Sequence, residues 1–202
     1  MSNFTKTKFT NVIFSLSGLE MTDEERALFE AIKPVGIILF SRNIQDADQV
    51  KSLCDEIKET IAEDVLILID QEGGRVRRIK FGINSKMKAP QKLIKIAESS
   101  KKITVDNLIK QQYILSSLEL RELGINVNSA PVADLYFSFA DKIVGDRSFG
   151  SDIQSVIQRC KIVDQALSDG LVQSILKHMP GHGRALVDSH KKLPVVDTEL
   201  TE

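Results

Sequence analysis

The stretch Val65-Leu66-Ile67-Leu68-Ile69-Asp70-Gln71-Glu72-Gly73-Gly74-Arg75 decides how this chain is read. Five consecutive apolar residues are too few for a helix of ordinary length. They show no polar alternation, which marks a strand buried on both faces, as in a parallel sheet. A carboxylate ends the run, and the glycine pair behind it lets the backbone turn sharply. Strands ending in reactive side chains are what a (β/α) barrel uses to build the mouth that holds its active site.

Working outward, four more runs rich in Val, Ile, Leu and Phe read as strands, at residues 12–16, 35–40, 125–132 and 172–176. Between them, residues 46–61, 104–123 and 153–167 repeat apolar side chains at helical spacing, and Gly124 and Gly170 supply stop signals. Alternation of strand and helix argues for an α/β fold. The runs end at Asp70, at Asp134 and at Lys177-His178, so a barrel mouth would gather groups distant in sequence. An open sheet also binds ligands at its strand ends. No G-x-G-x-x-G or P-loop follows any strand, which disfavours a nucleotide-binding sheet.

Bulk properties remove other classes. The chain has 202 residues, with 27 Lys and Arg against 28 Asp and Glu. That length suits one domain, and the balanced charge leaves no electrostatic footprint for nucleic acid or an anionic membrane. No apolar run approaches the ~20 residues that span a bilayer. Lys6 and Lys8 precede Val12-Ile13-Phe14 in the order of a signal peptide, but Ser15 and Ser17 break the stretch and no clear small-residue cleavage site follows. It reads as the first strand. Cys54 and Cys160 lie far apart in helical patterns and form neither a disulfide framework nor a zinc cluster, so a reducing, cytoplasmic setting is expected.

Two segments carry most of the chemistry. After the first glycine-bearing strand end, Asp70 can accept hydrogen bonds from two adjacent sugar hydroxyls, with Arg78 donating to ligand oxygens and keeping Asp70 ionised. The plain alternative is a turn-capping aspartate beside solvated arginines. The second segment, Lys177-His178-Met179-Pro180-Gly181-His182-Gly183, continues to Asp188-Ser189-His190 and holds all three histidines. Pro180, Gly181 and Gly183 oppose a helix there. Asp188 and His190 can meet across a turn. The carboxylate would fix one ring nitrogen, and the other could move a proton to or from a leaving oxygen. His182, between two glycines, reads better as a hydrogen-bonding pillar of the loop.

Weaker signals come from Arg147, in Gly145-Asp146-Arg147-Ser148-Phe149-Gly150, and from Asp134. Arg147 can clamp a ligand carbonyl or carboxylate, or pair internally with Asp146 or Asp134. Asp134 is equally a brace of the barrel mouth or a substrate contact. A metal site using His178, His182, His190 and Asp188 is the rival reading. The Pro-Gly break argues against the helix that would align His178 with His182, and no H-E-x-x-H is present.

Taken in order, Asp70 to Val76, Gly124 to Asp134, Gly145 to Gly150, and Lys177 to Gly183 with Asp188-Ser189-His190 resemble glycoside hydrolase family three, in particular its bacterial β-N-acetylglucosaminidase (β-hexosaminidase) branch of peptidoglycan recycling. The resemblance runs from about the first strand to Pro194. It implies a (β/α)8 TIM-barrel-type fold, of which residues 1–202 hold about the first five βα units as the N-terminal part of a single domain. It implies removal of terminal non-reducing N-acetylglucosamine from cell-wall fragments, with retention through a covalent glycosyl-enzyme. By motif, Asp70, Arg78, Arg147, Lys177 and His178 bind the sugar. His190 is the general acid/base, paired with Asp188 in place of the usual carboxylic acid. No metal or organic cofactor is implied. Met179 replaces the usual phenylalanine, a volume-similar swap.

One departure matters. The nucleophilic aspartate of the family lies in a Ser-Asp-Asp-like motif on a later strand, and nothing in these 202 residues matches it; Val195-Val196-Asp197 is no substitute. The chain alone is therefore expected to hydrolyse negligibly. The alternatives are one half of a split enzyme whose partner chain supplies the remaining strands and the aspartate, a non-catalytic remnant that binds sugar at most, or the metal-dependent hydrolase.

Overall fold

The computed structural model describes residues 8–100 and 102–198; Lys6 lies outside them. Five parallel strands form one sheet in sequence order: β1 (Thr10–Phe14), β2 (Pro34–Leu39), β3 (Leu66–Ile69), β4 (Val127–Asn128) and β5 (Gln173–Ser174). Each new strand joins beside the last. Right-handed crossovers, the near-universal hand, then put every connecting helix on one face, the winding of a barrel wall and not of a doubly wound sheet.

The helices are α1 (Asp23–Ile32), α2 (Ala47–Thr60), α3 (Pro90–Glu98), α4 (Val105–Glu122) and α5 (Ile153–Asp169). The three expected helices are present, ended by side chains the sequence supplies. Asp46 caps α2 through the Gln49 N–H, Thr104 caps α4 through the Asn107 N–H, and Gly170 closes α5. Periodicity alone missed α1 and α3. A Thr22–Glu25 capping box announces α1, and a proline in the first turn announces α3.

Apolar side chains on the helix-facing side form one core. Ile37, Leu39, Ile67 and Ile69 from the sheet meet Val50, Leu53 and Ile57 of α2, Ile109 and Tyr113 of α4, and Val156 and Val163 of α5. Odd-numbered residues of β3 thus face the helices. Even-numbered Leu68 turns the other way, against Gly36, where a Cβ would come within 2.8 Å of it. Asp70 continues that even-numbered face beyond the strand, toward the mouth.

Three expectations change. The run 125–132 yields a ladder of only two residues, Val127–Asn128. It still bonds its neighbours, Ser129 N–H to Ile69 O at 2.8 Å and Ala133 N–H to Lys177 O at 2.7 Å. In addition, β1 is not buried on both faces. It is a sheet edge, and Val12 and Ile13 are 41% and 49% exposed. β5 is the other edge, and the run 172–176 likewise yields only the two residues Gln173–Ser174. No described helix is long and apolar enough to cross a membrane.

Candidate active site

The loop after β3 is held by its own polar residues. The Gln71 side chain accepts from the Arg78 and Ile79 N–H groups at 2.9 and 3.1 Å and donates to Asn84 O at 3.2 Å. Asn128 at the end of β4 bonds both the N–H and C=O of Gln71, at 3.0 and 2.9 Å. The Tyr113 hydroxyl donates to Glu72 O at 2.8 Å. Gly73 and Gly74 take φ of +102° and +61° as the chain reverses against Lys88 and Ala89. This frame aims Asp70 and Glu72, two residues apart, to the same side.

An alternating line of charges follows. Asp70 Oδ2 accepts from Arg78 Nη2 at 3.0 Å, and Oδ1 from Lys177 Nζ at 2.8 Å. Lys177 Nζ also reaches Glu72 Oε1 at 2.5 Å. Glu72 takes Arg147 side-on, Nε to Oε2 at 2.7 Å and Nη2 to Oε1 at 2.8 Å. Burial pushes the Asp70 carboxyl up, but the charge and hydrogen bond of Lys177 and those of Arg78 outweigh it and hold the carboxyl below its ordinary range. Asp70 is thus ionised at neutral pH.

Arg147 pairs with neither Asp146 nor Asp134, the internal partners considered from sequence. Asp146 is taken by Arg75 at 2.8 Å, and Asp134 by His178 Nδ1 at 2.5 Å. The reason is geometric: Glu72 is buried at the loop base, so it is the carboxylate the guanidinium plane can reach edge-on. Glu72 is the residue that reading from sequence left without a role. Its available signal was its position two residues beyond Asp70 on the same side of the turn.

Asp134 is a brace. Its carboxylate accepts from the His178 ring and from the backbone N–H groups of His178 and His182, at 3.3 and 2.5 Å. His182 corrects the expectation of a hydrogen-bonding ring pillar. Only its backbone bonds; both ring nitrogens are buried without a hydrogen-bond partner. Asp188 and His190 meet as the spacing suggests. His190 N–H donates to Asp188 Oδ1 at 2.9 Å, and His190 Nδ1 lies 2.8 Å from the same oxygen. The His190 side chain is 79% exposed. Hydrogen bonds from His190 hold the Asp188 carboxyl below its ordinary value.

Asp70, Arg78, Arg147, Lys177, His178 and His190 all line one cavity of ≈ 420 Å³, with Glu72 and His182. Asp188 stands behind His190 and borders an adjoining groove with Arg75, Ile143 and Lys191. The groups expected to converge therefore do. Among the described residues, no three His, Cys, Asp or Glu side chains are grouped to hold a metal ion.

The arrangement can be set against known proteins. Residues 6–202 match the family described as glycosyl hydrolase family 3 N terminal domain. A beta-hexosaminidase of Glaesserella parasuis serovar 5 is 34% identical over 92% of this chain and 52% of its own length. One from Thiobacillus denitrificans is 35% identical over 91% of this chain and 50% of its own. NagZ of Neisseria gonorrhoeae, solved in complex with N-trifluoroacetyl-D-glucosamine, superposes with a TM-score of 0.86 at 31% identity, covering 96% of this chain and 56% of that one. The chain spans about half the length of the curated relatives it matches. With its parallel strands in sequence order and its charged strand-end pocket, this chain belongs to the glycosyl hydrolase family 3 N-terminal domain family.

Proposed function

We propose that residues 1–202 form the N-terminal, sugar-binding part of a single (β/α)-barrel glycosidase domain. Its substrate class is terminal non-reducing N-acetylglucosamine on peptidoglycan fragments. The observation that carries this reading is the shared cavity: six of the seven candidate side chains, from three separate strand ends, line it, and the seventh holds the sixth. Asp70 is kept ionised and oriented by Lys177 and Arg78, and its remaining lone pairs suit two neighbouring hydroxyls. Arg78, Lys177, Arg147 and His178 supply the rest of the polar lining.

His190 serves as general acid/base. Asp188 holds its Nδ1 side, so Nε2 can deliver a proton to the glycosidic oxygen and later take one from water. The covalent step needs a carboxylate nucleophile in the Ser-Asp-Asp pattern that these residues lack, so the 202-residue chain alone binds and does not turn over. No metal or organic cofactor enters the scheme. A cytoplasmic setting accords with two buried, free cysteines.

The test is paired: saturable binding of N-acetylglucosamine by calorimetry, and release of nitrophenol from its 4-nitrophenyl β-glycoside. Binding without release is expected. Turnover at ordinary glycosidase rates overturns the impairment, and absent binding overturns the sugar site.

A second feature is the pair of sheet edges, where the further strands of a (β/α)8 barrel would pack. Beside β5, Ile153, Ile157 and Leu176 line an open, largely apolar groove of ≈ 510 Å³, and β1 exposes Val12 and Ile13 at the far edge. A polypeptide carrying the remaining strands of a family relative should co-elute with this chain and restore hydrolysis. If it does neither, the sheet edges are not where further strands dock.

A further inference from the structure

Besides His190, which Asp188 backs, the pocket is lined by a second imidazole, His178, with a carboxylate behind it. His178 Nδ1 lies 2.5 Å from Asp134 Oδ2, while His178 Nε2 lies 3.4 Å from Arg147 Nη2. An ionised carboxylate only accepts and a guanidinium only donates. A ring between them satisfies both neighbours in one state: a proton on Nδ1 and a lone pair on Nε2.

Neither neighbour is free to change. The Asp134 side chain has no exposed surface. Burial pushes its carboxyl up, but hydrogen bonds from the His178 ring and the His182 backbone prevail and keep it below its ordinary value. It remains an anion at neutral pH. Arg147 is fixed by Glu72 on both its Nε and Nη2 atoms and donates through Nη1 to Ile143 O at 3.0 Å. The third possible state, an imidazolium, would aim an N–H at an immobile guanidinium.

We propose that Asp134 is a positioning residue that locks His178 as an Nδ1–H imidazole whose single Nε2 lone pair, a long 3.4 Å from Arg147 Nη2, passes to a saccharide hydroxyl on binding, so that the ring is an acceptor and not a proton donor. The saccharide rests on the function proposed above; the tautomer does not. The two histidines then divide the work. His178 is held between fixed charges and accepts. His190 is exposed and bonded to Asp188, the ring placed to pass a proton in the reaction proposed above.

The test is two-bond ¹H–¹⁵N correlation NMR on the uniformly labelled chain at neutral pH. The three histidines are assigned with His182→Gln and His190→Gln. His178 is expected to show a protonated Nδ1 and an unprotonated Nε2. In Asp134→Asn, one oxygen becomes a donor while three donors still converge on the group. The His178 pattern should then shift toward Nε2–H, and N-acetylglucosamine affinity should fall at least about tenfold. Asp188→Asn should leave the His178 pattern unchanged. A wild-type His178 carrying its proton on Nε2, or on both nitrogens, overturns the proposal, as does an unchanged tautomer in folded Asp134→Asn. Should that variant fail to fold, the wild-type spectrum decides. A wild-type chain that shows Nδ1–H but binds no sugar refutes the sugar site and leaves the tautomer assignment standing.

Discussion

Glu72 holds Arg147 along one edge of its guanidinium, at 2.7 and 2.8 Å, joining residues 75 apart in sequence. Both side chains are nearly buried, and Glu72 also neutralises Lys177. Removing one partner of such a pair leaves uncompensated buried charge. Glu72→Gln should therefore cost roughly 3–5 kcal/mol, read as a lower urea midpoint with unchanged slope. A loss under about 1 kcal/mol would mean that the pair behaves as a solvated surface bridge.

Gly73 adopts φ +102°, and a Cβ there would run into the Lys88 carbonyl oxygen. Gly73→Ala combines backbone strain with a clash against backbone, which cannot swing aside. We expect destabilisation of about 2 kcal/mol or more. At Gly18 a Cβ would meet nothing within 4 Å, and its φ lies outside the left-handed region. Gly18→Ala is the control and should change stability little.

Acid sensitivity follows from Asp70. Its folded-state pKa is depressed below the ordinary 3.8, so the stabilisation it brings is fully present above that value. It is lost as pH falls through the lower folded-state value. The stability gap between wild type and Asp70→Asn should be constant near neutrality and shrink below about pH 4. Denaturant titrations at pH 7, 5, 4 and 3 measure it. A gap that stays constant to pH 3 would mean that the folded pKa is not depressed, and one that widens would mean that it is raised; either contradicts the ion pairs with Lys177 and Arg78.

His190→Ala should separate stability from chemistry. The ring is 79% exposed, so the unfolding free energy should move by less than about 0.5 kcal/mol. In a complex with a polypeptide that carries the remaining strands of a family relative and hydrolyses, the same variant should lose roughly 10²–10⁴-fold in kcat. Equal losses of stability and activity would make the residue structural.

Burial pushes the thiols of Cys54 and Cys160 up to about 12. Thiolate is the reactive form. Neither cysteine should react with iodoacetamide at pH 8 in the folded chain, while both should be modified in urea, a difference counted by intact mass. Fast native labelling would indicate that α2 or α5 opens readily.

Sequence made the strands at 35–40 and 65–69 legible, because five or six unbroken apolar residues have few other places to go. It also made α2, α4 and α5 legible through their 3.6-residue spacing, with Gly124 and Gly170 as stop signals. It exposed Asp188–His190, since two residues and a turn suffice to join them. It did not reveal α1 or α3, whose signals sit in capping residues and not in the apolar repeat. The runs 125–132 and 172–176 looked longer as strands than they are, because composition does not register where backbone pairing stops.

What the sequence determined alone is the order of the parts: buried strands that end in charge, helices between them, and a glycine-rich loop holding the histidines. Only tertiary structure decided which charge meets which. Arg147 reaches Glu72 and not Asp146 beside it, and Asp134 takes the His178 ring. The His182 ring is left without a partner. The physical reason is that ion pairing depends on distance and orientation in space, and residues 75 apart in the chain become neighbours only when parallel strands set their ends around one mouth.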